Sequence, residues 1–275
     1  MIAEMLSFDF MRNALMGGLM VCLLCSLLSF FVVLKRLSFI GVGISHSAFG
    51  GLAIGVLLGL NPFICAGLFS VLVAWGIGIT SQKSKLHEDT TIGIFFSAAM
   101  ALGVALISLS REYKADLFSL LFGNILAITT ADLWMVAICG VGVALFLLLF
   151  FKELLAISFD EEVARVSGLP VGFLYYGLLT AMAITVVASI KVVGIILVEA
   201  LLVIPAATGF QMSKNYRWML FFSLASGALS LFSGLILSYW LDIASGATIV
   251  LCASLLFVLA FLFSPGKGVL LRGRG

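Results

Sequence analysis

The sequence predicts an all-α polytopic membrane protein with eight or nine transmembrane helices, and three observations carry that prediction. Apolar residues make up 63% of the 275-residue chain and charged residues only 10%, against roughly 45–50% and about 25% in soluble domains. A soluble fold of this size has too little interior to hide so much hydrocarbon. The apolar residues also come in runs of about 18–24, the length that crosses ~30 Å of lipid as a helix. Finally, the charges sit mostly between those runs and sum to only +2. No block of basic residues suggests nucleic acid as a partner.

In chain order, the first run, about 13–34, follows a dozen residues holding Glu4, Asp9 and one base, Arg12. That is not the pattern of a cleavable signal. Cys22 and Cys25 have C-x-x-C spacing, yet inside a spanning helix both read as small packing residues. The second run, 37–60, repeats small residues at Gly43, Ser47, Gly51, Gly55 and Gly59, a stripe for close helix packing. His46 lies about ten residues into this run, ~14 Å from its edge and near mid-depth. It stands ~100° round the helix from Ser47, at the border of the stripe, and shares its face with Val42 and Gly50. Runs 62–80 and 91–110 follow. The apolar stretch 117–128 is too short to cross and reads as an interfacial or re-entrant helix on the outer side.

After run 133–151 comes SFDEEVARVSGLP (158–170). Ser158 with Glu161 three residues on makes a capping box, and Asp160, Glu161 and Glu162 suit the positive end of a helix dipole. Gly168 and Pro170 supply the stop. So short a helix is not stable alone and needs a surface to dock on. On the residues alone that surface is either a partner or the protein itself.

Runs 171–190 and 192–212 are separated only by Lys191, so one of the two is expected to be bent or incomplete. Glu199 lies about seven residues into the second, at a depth matching His46. Ionisable groups at such depth normally face a cavity or a partner and mark a transport path, although each can instead be a structural hydrogen-bonding group. An imidazole and a hard oxygen donor at one depth favour a path for a transition metal. Runs 218–238 and 247–264 complete the chain. With nine spans, loops on one face carry eleven Lys and Arg, from Lys35 to Arg274, and the other only Arg12, Arg111, Lys114 and Lys191. That asymmetry puts the C-terminus in the cytoplasm and the N-terminus outside.

No H-E-x-x-H, G-x-S-x-G or G-x-x-x-x-G-K-[ST] occurs, so neither a hydrolytic site nor the usual ATP-binding loop is expected.

Five stretches resemble the zinc/manganese-type ABC importer permeases: RLSFIGVGISHSAFGGLAIGVLLG (36–59), HEDTTIGIFFSAAMALGVALIS (87–108), LFGNILAIT (121–129), DEEVARVSGL (160–169) and KVVGIILVEALLVIPAATG (191–209). The resemblance runs in order through most of the chain. It implies one permease domain over 1–275, of type II importer architecture, paired as a homodimer with the path between the two copies. The implied partners are a cytoplasmic ABC ATPase dimer and an extracellular or periplasmic metal-binding protein. The implied location is the plasma (inner) membrane, within its lipid bilayer. The permease is therefore not expected to be an enzyme, since hydrolysis falls to the ATPase. Its cargo is expected to be a divalent metal, zinc first and manganese or iron next, with no permanent cofactor. The resemblance also makes segment 158–169 a coupling helix seated in a groove of the ATPase, through Asp160, Glu161, Glu162, Ala164, Arg165 and Gly168, with an A-x-x-x-G core at Ala164 and Gly168.

One departure stands out. The family commonly reads G-D-x-x-S-H, which sets a carboxylate one turn before the histidine. Here Val42 holds that place, whereas Glu199 stands where the family usually has a small residue. A relocated ligand is the expectation, with His46 and Glu199 as the metal-facing pair. The competing functions are a type II permease for a metal chelate, which would want a wide neutral path, and a proton-coupled secondary transporter using Glu199.

Overall fold

The structure is a computed structural model and describes residues 9–84, 87–109, 123 and 128–264. Twelve helices run through the described residues: α1 (Asp9–Leu34), α2 (Ser38–Leu58), α3 (Pro62–Lys83), α4 (Glu88–Leu109), α5 (Thr130–Leu149), α6 (Phe151–Phe159), α7 (Glu161–Val166), α8 (Val171–Val193), α9 (Ile195–Leu201), α10 (Ile204–Met212), α11 (Tyr216–Leu241) and α12 (Ser245–Phe263). Among the described residues nine helical stretches are long and apolar enough to cross a membrane, with α9 and α10 together forming one of them, Ile195–Met212. The stretch expected as an outer helix at 117–128 lies outside the described residues except for Gly123 and Ile128.

Helix α8 is the axis of the bundle. It packs against α1, α2, α3, α5 and α9, and its buried side chains include Leu174, Leu178, Met182, Val186 and Ile190. On one flank α2, α3 and α4 form a layer; on the other α1, α10, α11 and α12 pack together. The outward faces of α3, α5, α11 and α12 expose large apolar residues such as Leu68, Leu72, Val141, Leu145, Phe221 and Leu251. Such surface is at home in hydrocarbon and costly in water.

The α2–α3 hairpin shows how the sequence sets this packing. Asn61 accepts hydrogen bonds from the Phe63 and Ile64 amides, and Pro62 sits in the first turn of α3, where its missing N–H costs nothing. A Cβ on Gly51 would fall 2.5 Å from Ala66 Cα, and one on Gly55 2.6 Å from Pro62 Cα. These two glycines therefore bring the backbones of α2 and α3 together. Gly43 faces α4 instead, against Ile92, and Ser47 is buried with its hydroxyl on the Ile44 carbonyl. Gly59 does not belong to the packing stripe. It caps α2 in the left-handed region at φ 66, and a Cβ there would meet nothing within 4 Å. Helical periodicity carried it into the stripe, but the helix ends one residue earlier.

Of the two runs beside Lys191, one of which is expected to be irregular, it is Ile195–Met212 that breaks, between Leu201 and Ile204. Pro205 cannot donate to the Leu201 carbonyl, so a regular helix is interrupted there. The amide of Ala206 finds the Ser29 hydroxyl of α1 at 3.2 Å, which satisfies a donor that lipid could not. Cys22 and Cys25 are buried free thiols on α1, and Gly227 of α11 closes onto Cys22 and Ser26.

Candidate metal site and short connecting helix

The α9–α10 break ends α9 just past Glu199, beside α2. The structure brings the two mid-depth ionisable residues into contact: His46 Nδ1 lies 2.9 Å from Glu199 Oε1. Nδ1 is also 3.1 Å from the Val42 carbonyl one turn earlier. A carbonyl only accepts, so Nδ1 carries the proton and donates to both oxygens. In the neutral ring Nε2 then holds the lone pair, the state in which imidazole binds a metal.

The surroundings hold this arrangement. Ser45, fully buried, donates its hydroxyl to Glu199 Oε1 and lies 3.0 Å from the Val42 carbonyl. The Phe96 ring of α4 meets the imidazole edge-on, centroids 5.0 Å apart. Both ionisable side chains keep an open side, at 24% exposure for His46 and 21% for Glu199. Among the described residues the hydrogen bonds of this pair run through His46 Nδ1 and Glu199 Oε1, which leaves Nε2 and Oε2 unengaged, and no group of three or more His, Cys, Asp or Glu could hold a metal. One chain thus offers two donor atoms, fewer than the four to six a divalent transition metal takes.

A second ionic contact lies within the spans. Lys191 Nζ is 2.5 Å from Asp132 Oδ1, while Asp132 Oδ2 also accepts from the Thr129 amide and hydroxyl at the start of α5. Sequence reasoning did not single this pair out.

The residues expected to contact an ATPase sit on and around α7. Its cap differs from the expected one. Asp160, not Ser158, is the N-cap, accepting from the Glu162 and Val163 amides at 3.0 Å. Ser158 instead bonds back to the Leu154 carbonyl within α6. Two polar residues competed for the cap, and Ser158 falls inside the last turn of the preceding helix. Gly168 closes α7 at φ 81, and the Leu169 amide reaches back to the Ala164 carbonyl. Ala164 points inward and is buried, whereas Glu162 and Arg165 are exposed. Glu161 is half-buried and pairs with Lys35 at 2.6 Å. The outward apolar residues are Phe159 at 70%, Val163 at 62% and Val166 at 90% exposure. The sequence carried their signal only as Phe159, Val163 and Val166 flanking three acids, but a helix of six residues is too short for periodicity to give its face.

A model of the family described as the ABC 3 transport family matches residues 7–264. The manganese transport system membrane protein MntC of Halalkalibacterium halodurans is 39% identical over 269 residues, covering 98% of this chain and 92% of that protein. A Haemophilus influenzae protein named as a probable iron transport system membrane protein is 37% identical over 265 residues, covering 96% and 97%. Among solved structures, PsaBC from Streptococcus pneumoniae in complex with Fab matches with a TM-score of 0.87 at 36% identity, covering all of both chains.

Proposed function

This chain belongs to the ABC 3 transport family, and from that premise we propose that it is the membrane permease of an ATP-driven importer whose substrate is a divalent metal ion. Two copies pair around a central path, a cytoplasmic ATPase dimer supplies the energy, and an external metal-binding protein delivers the ion. The C-terminus lies in the cytoplasm, on the side where α7 meets the ATPase.

The observation that carries the reading is the His46–Glu199 contact at 2.9 Å, which joins two apolar spans and leaves one lone-pair nitrogen and one carboxylate oxygen unengaged. A second copy doubles those donors from two to four, enough to replace much of an ion's hydration shell. Manganese comes first as cargo, since relatives are named for manganese and iron. Zinc, expected first from the resemblance, has no support from those names.

The test is uptake of Mn2+ by membranes carrying this chain with its ATPase and binding protein, with Fe2+ and Zn2+ as competitors. His46→Ala abolishes uptake without lowering the amount of protein in the membrane. At the cytoplasmic end Val166→Asp, on the most exposed apolar residue of α7, releases the ATPase on purification. Uptake that survives an inactive ATPase but collapses with the proton gradient would overturn the reading in favour of a secondary transporter.

A further inference from the structure

Helices α1 and α2 are joined by three residues, Lys35, Arg36 and Leu37, and backbone hydrogen bonds fix the joint. Arg36 takes the left-handed conformation at φ 60. The Leu37 amide returns to the Val32 carbonyl at 2.8 Å, and the Leu37 side chain is buried. A turn fixed this way moves with its helices rather than bending between them.

Lys35 extends from this joint to α7. Its ammonium is 2.6 Å from Glu161 Oε2 and keeps only 11% of its side chain exposed. It also lies 5.9 Å over the Tyr175 ring, near the start of α8. One cation therefore touches the short cytoplasmic helix, the bundle axis and the turn that starts α2. Eight residues beyond Ser38, or about two helical turns, α2 carries His46. The route from α7 to the metal-facing imidazole is thus one ion pair and one rigid helix.

We propose that Lys35 is the positioning residue through which α7 sets the place of α2 in the transport cycle: movement of α7 by the ATPase reaches His46 as movement of α2. Lys35 resists separation from Glu161, because its largely buried ammonium left alone would be an uncompensated charge, whereas Glu161, half-exposed, would keep Arg165 at 3.2 Å. The pair therefore carries a pull as well as a push. Apolar contact of Ala164 with the bundle would carry only the push.

This inference rests on reading α7 as the ATPase contact, and the experiment separates the two. The chain is reconstituted in vesicles with its ATPase and binding protein, and Mn2+ entry and ATP hydrolysis are measured on the same sample. Lys35→Met keeps the ATPase bound and hydrolysing, while Mn2+ carried per ATP falls about tenfold, within the usual range of coupling energies. Lys35→Arg, which keeps the charge, retains most of the ratio. Glu161→Gln lowers it similarly, and combining it with Lys35→Met costs no more than either alone, as two ends of one link require. Should Lys35→Met fail to accumulate, the half-exposed Glu161→Gln gives the same reading. A ratio within about twofold of the unaltered protein in both variants overturns the inference while leaving the ATPase contact standing. Retention of the ATPase by Val166→Asp overturns the underlying reading instead.

Discussion

Two of the carboxylate–nitrogen contacts among the described residues join apolar spans, and they are built to opposite ends. Asp132 is saturated: Lys191 at 2.5 Å takes one oxygen, the Thr129 amide and hydroxyl take the other, and the carboxylate is 8% exposed. Lys191 also sits 5.4 Å over the Phe63 ring. No oxygen of the Asp132 carboxylate is left over, so the pair ties α5 to α8 and holds the start of α5. His46 and Glu199 are also close, but each keeps one unengaged donor atom and an open side. A polar contact inside an apolar bundle is structural when its valences are filled and a candidate site when they are not.

That contrast can be broken by experiment. The largest effect is expected at the unsaturated pair: Glu199→Ala lowers Mn2+ uptake about 100-fold, while thermal unfolding of the detergent-solubilised protein stays where it was. Substitution at the saturated pair does the reverse. Lys191→Met leaves Asp132 without its cation and lowers stability by about 2 kcal/mol, less than for a fully buried pair because Lys191 is 40% exposed. Uptake per folded molecule stays near normal. If the two variants exchange phenotypes, the distinction drawn from valence is wrong.

Smaller effects sharpen the same comparison. Adding Val42→Asp to Glu199→Ala returns a carboxylate one turn before His46 and recovers uptake about tenfold, or 1.4 kcal/mol. No recovery would mean that Glu199 acts through its particular geometry rather than its charge. Ser45→Ala removes the hydroxyl that steadies Glu199 Oε1 and lowers uptake about threefold, the net value of one hydrogen bond. An unchanged rate there would mean that the carboxylate is held by His46 alone.

Much of the fold was legible because the signal is simple: hydrocarbon of bilayer length marks a span whatever its neighbours do. Glu199 and His46 were found as a pair by depth alone, since both are rare residue types at mid-span. What depth could not give is orientation. Which imidazole nitrogen faces the carboxylate depends on the Val42 carbonyl and on Ser45, contacts between elements 154 residues apart in one case. The end of α2 at Gly59 and the cap at Asp160 were misplaced for a local reason: several residues satisfied the same rule within one turn, and packing chose among them. Asp132 and Lys191 escaped notice because each lies at the end of its run, where a charge is ordinary.

The interruption at residues 202–203 also bears on how the protein is made. A segment of mean hydropathy 1.9 is apolar enough to leave the insertion machinery for lipid, but Ile195–Met212 carries an acid at mid-depth and a broken ladder of backbone bonds. Lipid offers no acceptor for the Ala206 amide; Ser29 of α1, made earlier, does. The span Ile195–Met212 therefore reaches its final seat only against α1, and assembly includes a later-made segment docking on an earlier one.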